Sequence, residues 1–231
     1  MGITVRFAET AKEIDAVFLA RYRVFVESDR YIQPNPDKRI LDRFDAFPTT
    51  RNVIAECNGR VVGGVRFTDH SEVGTPPEEF FDFRPFLPRP APPFGAGSML
   101  FLERPFRRSR LVFAMMGMGY GWGLQRDWTH VVGVLNARVV EGFVATGYRV
   151  LAEERFEERK RLSFVPVLLD VTDLDRDLLD FASAQTGDPV SIMPDEFRAP
   201  LPAFASHTAA VGEDRFHHEE VVIEPSSRPV F

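Results

Sequence analysis

Gly97-Ser98-Met99-Leu100-Phe101-Leu102-Glu103, then Arg104-Pro105-Phe106-Arg107-Arg108-Ser109-Arg110, then Leu111–Trp128, is the stretch from which the fold is read. The first run is mostly apolar, short and opened by glycine, as a buried strand is. The second holds four arginines and a proline, which mark a turn. The third is apolar and long enough for a buried helix. Gly117, Gly119, Gly121 and Gly123 stand in it among Met115, Met116 and Met118. Each glycine costs about 1 kcal/mol relative to alanine in a helix, so a sheet or a ligand is expected to approach closely there.

Downstream, Thr129–Leu135 reads as a strand, Ala137–Thr146 as a helix closed by Gly147, and Tyr148–Glu153 and Ser163–Val171 as further strands. Asp173–Ala184 is an acidic helix; from 185 to 231 periodicity is lost, so 1–184 is expected to form the domain and 185–231 a loosely structured arm. Upstream, residues 70–96 contain seven prolines and five phenylalanines, the composition of an ordered covering loop, with one helical turn at Pro77–Phe83. Asn52–Cys57 and Arg60–Thr68 are strands joined at Asn58-Gly59, a strong hairpin signal. Gly63-Gly64 in the second suggests a bulge or a close backbone approach. Residues 2–8 alternate as a strand, and Thr10 with Glu13 forms a capping box for a helix to about Glu27. Hairpins early and alternating strands and helices later predict an α/β (α+β) layer on a mixed, mostly antiparallel sheet.

The chain has 231 residues, 44% of them hydrophobic, 22 of them Phe, and a formal net charge of −6. That balance argues against nucleic acid as a general partner. Only three of the 28 basic residues are Lys; arginine is the better fork for phosphates and carboxylates. The single cysteine, Cys57, excludes an internal disulfide. No apolar run suits a signal peptide or a membrane span, and a cytoplasmic protein is expected. His217-His218 has no third ligand nearby, so no metal site is expected.

Ile14, Val17, Phe18, Tyr22 and Phe25 recur at helical spacing, and Arg21 lies inside that stripe. A guanidinium facing a core needs acidic partners, and Asp42 and Asp45 are the natural ones. With Phe25, Tyr31 and Arg66 they make a constellation that reads either as the wall of a site or as a structural ion-pair cluster.

Leu100–Arg107 resembles the L-x-V-x-P-x-x-R stretch that ends the fourth strand of the GNAT acyltransferase superfamily, and the helix, strand and helix after it follow in that superfamily's order. The resemblance implies a three-layer αβα sandwich whose twisted sheet splays between the fourth and fifth strands. It implies that backbone at Leu100, Phe101 and Leu102 holds a pantetheine arm, with Arg107, Arg108, Ser109 and Arg110 near its phosphate. A helix N-terminus suits an anion there. The loop lacks the glycines of the coenzyme A-binding pattern, which favours acyl-phosphopantetheine on an acidic acyl carrier protein over acyl-CoA as donor. No permanently bound cofactor is expected.

Arg21, Phe25, Tyr31, Asp42, Asp45 and Arg66 together resemble the acyl-homoserine-lactone synthases and their relatives, the long-chain N-acyl amino acid synthases. The lactone synthases' Glu-x-x-Arg on the fourth strand is replaced by Ala96-Gly97-Ser98-Met99, so the second group is the better match. The implied activity is transfer of a long-chain acyl group from an acyl-carrier-protein thioester to the amino group of an amino acid or related amine. Arg66 is a candidate for gripping the acceptor's carboxylate and Glu103 for taking its proton, and Ser98 joins them as a candidate catalytic residue. The alternatives are an acyl-homoserine-lactone synthase, a non-catalytic GNAT-like module binding lipid or carrier protein, and a coenzyme A-dependent amine acetyltransferase.

Overall fold

The computed structural model describes residues 2–107, 109–157, 162–184 and 187–192. Strand β1 (Ile3–Phe7) leads into helix α1 (Ala11–Tyr22), opened by the expected capping box: the Thr10 hydroxyl accepts from the Glu13 N–H, and the Glu13 carboxylate accepts from that of Thr10. The helix was expected to run on to Glu27. It widens instead into a π-helical turn, Arg23–Ser28, in which the Asp29 N–H reaches back to the Val24 carbonyl at 2.8 Å.

The hairpin β2 (Thr50–Cys57) and β3 (Arg60–Asp69) follows the sequence reading and carries a bulge beside Ala55. Both glycines of β3 also answer close approach: a Cβ on Gly63 would lie 2.3 Å from the Leu102 side chain, and one on Gly64 2.9 Å from the Phe101 ring. The covering segment is shorter than expected, because β4 begins at Phe94 and ends at Leu102. Helix α2 (Leu111–Leu124) stops short of Trp128, whose ring folds back over Gly95 and Gly123; added Cβ atoms there would lie 2.0 and 2.2 Å from it. Gly119 likewise receives the Phe67 ring and Gly117 the Phe181 ring. The glycine-rich helix is thus a core helix cut to fit aromatic rings.

Strand β5 (His130–Asn136) is followed by a 3-10 turn and the short helix α3 (Val140–Val144) in place of one continuous helix. Then come β6 (Arg149–Val150), β7 (Arg155–Glu157), β8 (Leu162–Asp170) and helix α4 (Arg176–Ser183). A last strand, β9 (Val190–Ile192), lies in the segment expected to be a loose arm and pairs with β1 through Ile3–Val5. Residues 193–231 fall outside the described residues.

The strand order is β6-β8-β5-β4-β3-β2-β1-β9, with β7 on β8; β4 and β5 are parallel and every other pair is antiparallel. Helix α1 covers one face beside β2 and β3, while α2, backed by α4, covers the other. This is the expected sandwich.

The split in the sheet is visible in the register. β4 and β5 pair only at Phe94–His130, Gly95–Val131 and Ala96–Val132. Each then stays with its other neighbour, β4 with β3 to Leu102 and β5 with β8 to Asn136. Burial follows the same boundary: Phe94–Ala96 are buried, and Gly97–Leu100 are partly exposed. A bulge in β4 at Met99 and Leu100, with Met99 in the left-handed region at φ +51°, bends that strand away.

Candidate active site

The residues singled out around Arg21 are gathered by one rung of the sheet. Asn52, Arg66 and Ser98 lie directly opposite one another on β2, β3 and β4, so their side chains share a face. Helix α1 lays Arg21 over that rung. A 3-10 turn at Arg43–Ala46, capped by Asp42, brings two carboxylates to it.

Asp45 is the centre. Its Oδ2 accepts from Arg21 Nη1 at 2.9 Å and from the Asp42 N–H at 3.1 Å, and forms an ion pair with Arg66 Nη1 at 3.0 Å. Asp42 takes Arg66 in a fork, at 2.6 Å from Nη1 and 2.8 Å from Nη2. Arg21 Nη2 donates to Asn52 Oδ1 at 2.6 Å, and Arg66 Nε to Ser98 Oγ at 3.0 Å. Two positive and two negative groups cancel, which is what allows both guanidiniums to lie fully buried. Burial still lowers the Arg21 guanidinium to about 10. Burial alone would raise the Asp42 carboxyl, but the hydrogen bonds and charge of Arg66 outweigh it and hold it below the usual carboxylate range. The Asp42 side chain is 33% exposed, against 0% for both arginines and 2% for Asp45. It is the cluster's window on solvent.

Three of the expected site residues are held by other contacts within the fold. Arg66, the candidate for gripping an acceptor's carboxylate, has Nε, Nη1 and Nη2 all engaged and its side chain buried. Glu103, the candidate proton acceptor, bridges Arg23 and Arg60, tying the end of β4 to the π-turn and to the hairpin. Ser109 was placed near a phosphate, but its hydroxyl donates to the Phe106 carbonyl and accepts from the Leu111 N–H.

Phe25 packs edge-on against Phe101 with ring centroids 6.2 Å apart, which anchors the π-turn to β4. Its carbonyl accepts from the Tyr31 N–H at 2.7 Å. Tyr31 thereby reaches a cleft of about 480 Å³ lined by Ser28, Asp29, Tyr31, Arg104, Arg107 and Arg138. Arg104 and Arg107 follow β4 and Arg138 follows β5, so the cleft stands at the carboxyl ends of the two diverging strands, where ligands of open α/β sheets bind. Arg104 donates to the Ser28 carbonyl, and Arg107 to Asp29 at 2.6 Å and to the Leu102 carbonyl at 2.9 Å. Three guanidiniums face one carboxylate, and the mouth is cationic. Arg110 is exposed at the start of α2, which has no side-chain cap, and Arg108 lies outside the described residues.

Asn52 and Arg138 escaped the sequence reading. A polar residue within an apolar strand was the available signal for the first, and an arginine just past the fifth strand for the second. Among the described residues no group of three or more His, Cys, Asp or Glu stands ready for a metal, and no helix is long and apolar enough to cross a membrane.

A family model for the N-acyl amino acid synthase FeeM matches residues 16–170. The chain belongs to that family. It is an acyltransferase enzyme of the N-acyl-transferring kind. Among solved structures, FeeM from uncultured soil microbes aligns at 10% identity over 74% of this chain and 93% of its own, with a TM-score of 0.61. BjaI, a CoA-dependent acyl-homoserine lactone synthase, aligns at 20% identity over 74% of this chain and 81% of its own, with a TM-score of 0.59. Escherichia coli ElaA aligns at 14% identity over 73% of this chain and 98% of its own, with a TM-score of 0.54. These likenesses establish the fold that this family shares with autoinducer synthases and GNAT acyltransferases. No curated protein matches the chain.

Proposed function

We propose that this protein transfers a long-chain acyl group from the phosphopantetheine thioester of an acyl carrier protein to the amino group of an amino acid. The observation that carries the reading is the fork: β4 and β5 part after Ala96–Val132, with a cationic cleft at their carboxyl ends. A thioester arm lying between them replaces the missing strand and hydrogen-bonds the free edge of β4 from Gly97 to Leu102. Its phosphate lies among Arg104, Arg107 and Arg138, and an acidic carrier protein is steered to the same mouth.

The chemistry is direct. The acceptor's neutral amine attacks the thioester carbonyl carbon, the carbon–sulfur bond breaks, and the proton released from nitrogen ends on the departing thiolate. Backbone N–H groups of the β4 edge stabilise the oxyanion, an effect worth about 3–4 kcal/mol per donor. The Ser98 hydroxyl, with Arg66 Nε donating to its oxygen, keeps its hydrogen for a substrate. With Arg66 occupied, Asp42 is the cluster member that meets the acceptor, and it meets the ammonium end. A carboxyl held below its ordinary range binds a cation well and is a poor base, so deprotonation falls to water.

Incubation with palmitoyl carrier protein and a panel of amino acids, following free thiol and product mass, tests this. Thiol release with an N-acyl amino acid as product supports it. Thiol release only with S-adenosylmethionine, or only with acetyl-coenzyme A, replaces it.

A further inference from the structure

The three arginines at the mouth of the cleft are not equally available. Arg138 is exposed, and its guanidinium meets no charged or hydrogen-bonding partner among the described residues. Arg104 and Arg107 are engaged, and by adjacent residues of one segment. Arg104 Nη2 donates to the Ser28 carbonyl at 2.9 Å, and Arg107 Nη2 to Asp29 Oδ2 at 2.6 Å. The Ser28 hydroxyl donates to the other Asp29 oxygen at 3.1 Å. The Asp29 side chain is 9% exposed, against 36% for Arg107. An anion with both oxygens hydrogen-bonded thus already sits in a cationic cleft. Arg107 Nε is spent on the Leu102 carbonyl, so Asp29 holds one of its two remaining nitrogens. A two-pronged grip on a phosphate draws on both, and Asp29 competes with it.

The segment that carries this carboxylate has an unusual shape. Ser28 ends the π-helical turn, the Asp29 N–H closes it on the Val24 carbonyl, and Arg30 lies in the left-handed region at φ +58°. A residue with a side chain adopts that region at a cost, which surrounding contacts must offset. The N–H groups of Tyr31 and Ile32 then both turn onto the Phe25 carbonyl. π-Turns recur at functional sites, and this one ends by aiming a carbonyl and a carboxylate at the two arginines that follow β4. A single movement of Ser28 and Asp29 frees both guanidiniums.

We propose that Asp29 is a specificity-determining residue for the acyl donor: its carboxylate stands in for the arm's phosphate on Arg107 and is exchanged for it as the arm enters. The exchange replaces one anion by another on the same guanidinium. It offers three guanidiniums to an arm that carries a phosphate, whereas a neutral arm leaves Asp29 in place. The inference rests on the acyl-thioester reading of the fork.

The test uses three probes: an unreactive palmitoyl thioether of phosphopantetheine, the same thioether of pantetheine, and inorganic phosphate. Amide hydrogen exchange over residues 28–32 is followed in the unsubstituted protein, and calorimetry compares that protein with Asp29→Asn. The phosphopantetheine thioether should speed exchange of the Asp29, Tyr31 and Ile32 amides several-fold, as local opening does, and the pantetheine thioether should leave it unchanged. Asp29→Asn should bind the phosphopantetheine thioether about two- to fivefold more tightly, the worth of a partly exposed ion pair, and the pantetheine thioether as before. Tighter binding to Asp29→Asn with no change of exchange in the unsubstituted protein overturns the proposal, since Asp29 would then only repel the phosphate. Equal opening by the pantetheine thioether, or by inorganic phosphate at the same concentration, overturns its assignment to the donor's phosphate. Each of these results leaves the reaction standing. The exchange measurement decides the matter even where Asp29→Asn does not fold. An unsubstituted protein that binds neither thioether overturns the parent reading and this one together.

Discussion

Arg66 Nε donates to Ser98 Oγ across 3.0 Å, and that bond joins the ionic cluster to the fork. Ser98 stands two residues beyond the last β4–β5 rung. Through Arg66, its position depends on two carboxylates from a turn far away in sequence. The cluster is therefore a brace for the site's wall as well as a core feature, and its members are not equivalent.

Asp45 holds both buried guanidiniums, whereas Arg21 touches only Asp45 among the acids. Asp45→Ala leaves two buried positive groups with one remaining carboxylate, at a cost of about 3–5 kcal/mol. Arg21→Ala leaves Asp45 still paired with Arg66 and removes the repulsion between the two arginines. Urea unfolding should rank Asp45→Ala below Arg21→Ala. The reverse ranking refutes the bridging role.

The acid limb of stability should depend on Asp42. Its native carboxyl lies below the unfolded value, so the native state binds fewer protons as pH falls past about 4. The stability this supplies is complete above that pH and is lost on descent through the native pKa. Asp42→Asn should flatten unfolding midpoints measured over the acid range. An unaltered acid slope would assign the pH dependence elsewhere.

Tyr120 and Tyr148 share a hydrogen bond of 2.8 Å in the core, and burial raises both phenols above their ordinary range. Tyr120→Phe leaves the other hydroxyl buried without this partner, costing about 1–3 kcal/mol, while the double Phe variant should recover much of that loss. Because the native phenols keep protons that the unfolded chain releases above about pH 10, stability should fall as pH rises past that point. The double variant should lose this slope. A double-mutant cycle in urea at neutral and alkaline pH measures both effects.

Much of this was legible from local pattern. Capping at Thr10, the Asn58-Gly59 hairpin and the pairing of Arg21 with a downstream carboxylate each follow from residues close together in sequence or from the expense of an unpaired buried charge. What escaped depends on register. Nothing local says that Arg66 falls opposite Ser98 and Asn52, so its prior engagement by Asp42 could not be foreseen. The ion pairs of Glu103 are hidden for the same reason, since Arg23 and Arg60 reach it from other elements. The glycines of α2 announced close approach, but only the fold shows that Phe67, Trp128 and Phe181 are what approach. The fork itself came from family resemblance, because no composition marks where two strands cease to pair.

Arg138 offers the cleanest test of the cleft. Arg104 and Arg107 also hold the loop after β4, through the Ser28 carbonyl, Asp29 and the Leu102 carbonyl, so changing them confounds binding with folding. Arg138 lines the same cleft and is exposed. Arg138→Glu should leave melting unchanged within about 0.5 kcal/mol, as surface changes usually do. It should raise KM for the acyl-carrier-protein donor several-fold at low salt, with the difference shrinking as salt is added. The donor separates two roles. If Arg138 contacts the arm's phosphate, KM rises for an acyl-coenzyme A donor as well. If it only steers the acidic carrier, coenzyme A kinetics stay as they were. Unaltered KM for both donors would remove this cleft from the path of the thioester.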